Sequence, residues 1–276
     1  MWRAFISRAR CLSLACGLSL IWLPTDIAAQ MLDFPRPVNQ ASSFNEPFGL
    51  PTVQVTTGAL RDRWLKLEEK MEAERLVIRT CEENRASCAS RAALQFLSII
   101  DSGRTSGGRG RLGKINRAVN LSIRPMSDLS IYGEEDVWSS PLSTLGIAAG
   151  DCEDYAIAKF LALQEAGVSP DDLRIVVLRD NFRGEDHAVV AARLDGNWLI
   201  LDNRHMAMVE DRQMSNFQPV LLIDHYGVKF YIDPSSTPYA SHLVQRRELS
   251  LSKTNKRSDA IDRNRAISSK AGPSVV

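Results

Sequence analysis

Asp195-Gly196 separates two apolar runs, 187–194 and 197–202, and no other feature of the 276 residues constrains the fold as tightly. Asp-Gly between apolar runs signals a two-residue hairpin, because both turn positions need a positive φ that these residues tolerate. A turn of that length sets the register behind it. Leu194 then faces Asn197, Ala191 faces Ile200, Val189 faces Asp202, and His187 faces Arg204. Side chains alternate across a strand, so His187, Val189, Asp202 and Arg204 share one sheet face. His187 and Asp202 become diagonal neighbours about 7–8 Å apart at the backbone, a gap that an imidazole and a carboxylate bridge. The carboxylate orients the ring, and the other ring nitrogen is left for a proton partner.

That partner is expected upstream, in Gly150-Asp151-Cys152-Glu153-Asp154-Tyr155. Ala156, Ile157, Phe160, Leu161 and Leu163 follow, and Gly167 and Pro170 close the segment in the usual order for a helix stop. Asp151 is a natural N-cap and Asp154 a capping-box acid, which places Cys152 in the first helical turn. Unpaired N–H groups and the positive end of the helix dipole favour a thiolate there and suit an oxyanion. A buried cysteine acting as a small hydrophobe is the plain alternative, although three neighbouring acids make an odd packing site. The acids also pose a conflict, since like charge raises a thiol pKa. A divalent cation would remove it, and clustered carboxylates suit calcium. A capped, solvated helix end is the competing explanation for Asp151 and Glu153.

The other cysteines set the compartment. Cys11 and Cys16 lie in a leader with Arg3, Arg8 and Arg10 ahead of an apolar stretch and an Ile27-Ala28-Ala29 end. These features describe a signal peptide over 1–29 rather than a membrane anchor, because the apolar stretch is shorter than the roughly 20 residues a spanning helix needs. The expected product is therefore exported, to the periplasm if the source is a Gram-negative cell. Cys81 and Cys88 flank a turn between two expected helices, 59–77 and 86–100, and in an oxidising compartment they either bridge or remain two free thiols. Cys152 has no comparable partner, and nucleophilic catalysis would explain a lone exported thiol.

Residues 30–57, with Pro35, Pro37, Pro47 and Pro51, read as an extended lead-in. The stretch 103–113 carries five glycines but no following Gly-Lys-Ser/Thr, so it reads as a mobile surface loop and not a phosphate loop. A third helix is expected over 114–123. The chain carries 34 basic and 33 acidic residues, a balance that offers no nucleic-acid footprint. Only the end departs from it. Residues 244–276 hold eight Lys/Arg against three Asp/Glu and no aromatic residue, so a disordered basic tail is expected. No C-x-x-C or H-x-x-x-H spacing supports a zinc site.

The run Gly150-Asp151-Cys152-Glu153-Asp154-Tyr155-Ala156-Ile157-Ala158-Lys159, then His187, then Leu201-Asp202-Asn203, resembles the bacterial transglutaminase-like cysteine proteinases, and among them the LapG-type periplasmic adhesin proteases. The segment from Asp136-Val137-Trp138 to Pro141 and the pair Cys81 and Cys88 also fit. The resemblance implies an α+β, papain-like fold over 58–243, with N-terminal helices and a nucleophile helix packed on an antiparallel sheet. It implies Cys152, His187 and Asp202 as a catalytic triad and a calcium site using Asp151 and Glu153. It further implies a protein substrate, a large secreted adhesin cleaved in biofilm control, and restraint by an inner-membrane cyclic-di-GMP receptor. Transglutaminase-type acyl transfer to an amine is the alternative chemistry. A calcium-stabilised protein-binding module with little turnover is the alternative class.

Overall fold

The structure is a computed structural model and describes residues 45–232. The expected signal peptide 1–29, the first part of the lead-in and the basic tail 244–276 lie outside the described residues. Among the described residues no helix is long and apolar enough to cross a membrane.

The Asp195-Gly196 turn forms as the sequence predicts. Both residues take positive φ, 51° and 80°, and the strands β5 (Glu185–Leu194) and β6 (Asn197–Leu201) pair with Leu194 opposite Asn197 and Ala191 opposite Ile200. The ladder stops earlier than expected. Its last pair is Val190 with Leu201, and Asp202 already lies outside the strand. On its other edge β5 pairs antiparallel with β4 (Leu173–Asp180). The run Ile175-Val176-Val177-Leu178 is apolar without alternation because β4 is central and covered on both faces.

Four more strands complete the sheet: β1 (Thr52–Gln54), β7 (Val209–Glu210), β8 (Phe217–Asp224) and β9 (Gly227–Tyr231). The order is β1-β9-β8-β4-β5-β6-β7, with antiparallel neighbours throughout. The end of the expected lead-in thus supplies an edge strand. It is tied in further by Trp198, whose Nε1 donates to the Asn45 carbonyl at 3.1 Å, and by a buried Arg174–Glu46 ion pair at 2.6 Å.

Six helices accompany the sheet among the described residues. They are α1 (Ala59–Glu83), α2 (Arg91–Arg104), α3 (Gly108–Ser122), α4 (Asp128–Tyr132), α5 (Pro141–Ile147) and α6 (Cys152–Glu165). Helix α6 is the hub. It packs on β4 and β5 and is enclosed by α2, α3 and α5, so every residue from Asp154 to Leu163 is buried. A helix apolar around most of its circumference must sit inside, and the sequence of α6 is of that kind. A second apolar cluster, including Val176, Val189, Trp198 and Leu222, is partly covered by Phe48, Phe217 and Tyr231.

The glycine-rich stretch 103–113 is not a loop. Helix α2 runs to Arg104, and α3 begins at Gly108. Leu112, Ile115, Asn116 and Val119 are buried at i, i+3, i+4 and i+7, and that stripe outweighs the poor helix propensity of glycine. Gly103 has a packing role: a Cβ there would lie 2.8 Å from Ile115 Cγ1, so only glycine lets α2 and α3 approach this closely. Helix α2 starts later than expected because Ser90 caps it, accepting the Ala93 N–H at 3.2 Å.

Cys81 and Cys88 form a disulfide across the α1–α2 turn, with 4.9 Å between their Cα atoms. A bridge closing so short a loop stabilises by about 2 kcal/mol. An unreduced digest is expected to yield the two peptides linked, and the Cys81→Ser, Cys88→Ser double variant to melt at lower temperature. Both thiols alkylating freely without reductant would contradict this.

Candidate active site

Cys152 opens α6, where the backbone N–H groups of the first turn lack intrahelical acceptors. Gly150 makes the tight entry possible, since a Cβ on it would lie 2.8 Å from Asp154 Cβ. The expected capping box does not form as drawn. Asp151 occupies the cap position without a side-chain cap bond, and the buried Asp154 instead accepts the Ser139 N–H at 3.0 Å. Burial pushes Asp154 up to about 7.

The structure brings His187 and Asp202 together. Their Nε2 and Oδ1 atoms are 2.8 Å apart, and both side chains are buried. Asp202 is held below the ordinary carboxylate range. Burial alone would raise it, but the His187 contact, the Arg204 N–H and the charge of Lys159 outweigh that. An ionised carboxylate only accepts, so Nε2 carries the proton and Nδ1 is the lone-pair nitrogen. Nδ1 has no hydrogen-bonding partner among the described residues. The Asp202 loop is held from below by α3: Asn120 Nδ2 donates to the Asp202 carbonyl at 2.9 Å, and Asn116 Nδ2 to the Met206 carbonyl at 3.2 Å.

Cys152 and His187 line one open cleft of about 870 Å³, together with Arg63, Trp138, Asn203 and Arg204. The thiolate position of Cys152 faces the N–H of Ala188, the residue after His187, while its S–H points to Glu153 Oε2 at 3.2 Å. Burial and the Glu153 carboxylate drive the thiol well above its ordinary range. Trp138 is fixed by Asp136, which accepts its Nε1–H at 2.9 Å, and by the Arg63 guanidinium 5.5 Å from its ring centre.

Asp151 and Glu153 do come together, and a third acid joins them. Asp128 Oδ, Asp151 Oδ and Glu153 Oε ligand atoms lie within 4.8 Å of one another. The parallel pair β2 (Arg124–Pro125) and β3 (Ala149–Gly150) brings Asp128 there, 23 residues before Asp151 in the chain. Local spacing offers no signal for it. One oxygen each of Asp128 and Asp151 is buried without a hydrogen bond. Burial and Asp151 push Glu153 up to about 9, and burial with Asp151 nearby pushes Asp128 up to about 6. Orphaned carboxylate oxygens and mutually repelling acids fit a hard, oxygen-seeking cation.

Lys159, which in the sequence only closes the run 150–159, is buried two turns below Cys152. Its Nζ donates to the Leu201 carbonyl at 3.4 Å, and burial lowers its pKa to about 7 against the opposing pull of Asp202. Its apolar surroundings in the sequence concealed its relation to Asp202.

A thiol at a helix start, beside an antiparallel sheet with an imidazole–carboxylate pair, defines the papain-like α+β class of cysteine hydrolases. The sequence model of the bacterial transglutaminase-like cysteine proteinases matches residues 74–218, just over half of the chain. The chain therefore belongs to that family and is a cysteine peptidase. Among solved structures it is similar to calcium-bound LapG of Legionella pneumophila, at 23% identity and a TM-score of 0.48, over 62% of this chain and 98% of that one. An EGTA-treated form of the same protein gives 23% identity and a TM-score of 0.48, over 59% and 87%. A transglutaminase crystal structure gives 12% identity and a TM-score of 0.32, over 48% and 37%. No protein of curated function matches the chain.

Proposed function

We propose that this peptidase is an exported endopeptidase with Cys152 as nucleophile, His187 as general base and Asp202 as the carboxylate that orients it. One observation carries the reading. His187 spends Nε2 on Asp202 and keeps Nδ1 unpartnered in the cleft that also holds the free thiol. In this mechanism Nδ1 takes the Cys152 proton and the thiolate attacks a peptide carbonyl carbon. N–H groups at the start of α6 hold the oxyanion. His187 then returns the proton to the leaving amine, and the C–N bond breaks. Water, deprotonated by the same nitrogen, hydrolyses the thioester and restores the thiol.

Asp128, Asp151 and Glu153 would hold a calcium ion at the head of the nucleophile helix. Such an ion would supply positive charge that offsets the acids opposing the thiolate. Calcium is expected to raise the melting temperature by mass action, and a chelator to lower both the melting temperature and the activity. Glu153→Gln is expected to weaken binding in calorimetry without touching the cap position. Wild-type protein that binds no calcium at millimolar concentration would rule the site out.

The proposed substrate is a large secreted adhesin cleaved in biofilm control, with an inner-membrane cyclic-di-GMP receptor as regulator. The likeness of the decapeptide 150–159 to LapG-type sequences supports both, and the leader with the Cys81–Cys88 bridge supports export to the periplasm. The test is a gel of an adhesin fragment incubated with the calcium-loaded protein. Two shorter products support hydrolysis. A heavier cross-linked band would instead establish acyl transfer, and co-migration without new products a binding module.

A further inference from the structure

The β5–β6 ladder ends at Val190 and Leu201, so backbone pairing does not carry Asp202 to His187. Beyond that point the Arg204 side chain spans the gap. The backbone N–H of Arg204 donates to Asp202 Oδ1 at 2.9 Å, the oxygen that also meets His187. The Arg204 guanidinium reaches across to the other segment, with Nη1 donating to Asp180 Oδ2 at 3.1 Å and Nη2 to Glu185 Oε1 at 2.6 Å. Asp180 and Glu185 are the closing pair of the β4–β5 ladder, and His187 is two residues further along β5.

Asp180 is itself immobilised. It is buried, and its Oδ1 accepts the N–H groups of Phe182 at 3.0 Å and Arg183 at 3.1 Å, while its carbonyl accepts that of Gly184 at 2.8 Å. The turn before His187 is thus a rigid anchor, and Arg204 ties the Asp202 loop to it. A planar guanidinium suits this task, because it grips two carboxylates in fixed directions where an ammonium acts as a point charge.

We infer that Arg204 is a positioning residue, locking the Asp202 loop to the end of the β4–β5 hairpin so that the carboxylate stays aimed at His187. The inference rests on the triad reading above and concerns geometry beyond it. Removal of the guanidinium lets the Asp202 loop drift, and a displacement of about 1 Å at a reacting centre costs up to about 10²-fold.

The test needs no substrate. Two readouts are taken on calcium-loaded protein at pH 7: the downfield proton resonance of the His187 Nε2–H, and the rate at which iodoacetamide alkylates Cys152. Arg204→Met is expected to move or broaden the resonance and to slow alkylation about tenfold, within that geometric scale, while a cooperative melt is kept. A purely structural arginine would lower the melting temperature and leave both readouts in place. Asp202→Asn is run alongside. If it changes both readouts and Arg204→Met changes neither, the positioning role is overturned and the triad stands. If Asp202→Asn also changes neither, the triad reading falls and the positioning role with it. Should Arg204→Met fail to fold, Glu185→Ala decides. Glu185 is half exposed, and its loss removes one of the two grips. A shift in the same direction supports the role, and wild-type values overturn it.

Discussion

Cys152→Ala is expected to abolish peptide-bond cleavage and to leave the fold nearly intact. The substitution removes one sulfur from a partly exposed position at the start of α6 and touches no hydrogen bond that holds the helix. It also removes the S–H that donates to Glu153 Oε2, a weak donor in a contact between neighbours in the chain. The melting temperature should therefore stay near that of the wild type, while no product accumulates on the gel. Cleavage by the Cys152→Ala protein at the wild-type rate would sink the assignment. His187→Ala should be as inactive but less stable. The imidazole is fully buried, and its loss leaves Asp202 Oδ1 facing a void with only the Arg204 N–H as partner.

Asp202→Asn is expected to cut turnover by about 10²–10⁴-fold, the scale of general-base catalysis. The amide keeps the shape and an acceptor oxygen, so the Arg204 N–H and the ring remain bonded. It lacks the charge that, in the proposed mechanism, would stabilise the imidazolium formed when His187 takes the thiol proton. The stability difference between wild type and variant has a defined pH window. The folded-state pKa of Asp202 is depressed, so its contribution is fully present above the unfolded value of about 4 and is lost as pH falls through the folded one. Unchanged turnover would mean that the contact at 2.8 Å does no catalytic work.

Much of the local architecture was legible. The Asp-Gly turn dictated the pairing of β5 with β6 because turn geometry and pleat act over a few residues. The start of α6 at Cys152 followed from Asp151 before it and the apolar run after it. Composition misleads where hydrophobic pattern decides. Residues 103–113 looked like a loop because they hold five glycines, but the stripe Leu112, Ile115, Asn116, Val119 carries α3 through most of them. The ladder also ended one residue short of Asp202, since α3 pulls that loop away through Asn116 and Asn120.

By itself, then, the sequence determined the hairpin register and the start of α6, both settled by interactions within a few residues, while for Cys81 and Cys88 it left a bridge and two free thiols open. Tertiary structure alone decided that Asp128 joins Asp151 and Glu153, that Lys159 lies buried near Asp202, and that Arg204 spans two hairpins. Each of those contacts joins segments distant in the chain. Their partners are chosen when β2 pairs with β3 and when α6 is enclosed by sheet and helices, and no spacing along the chain encodes that choice.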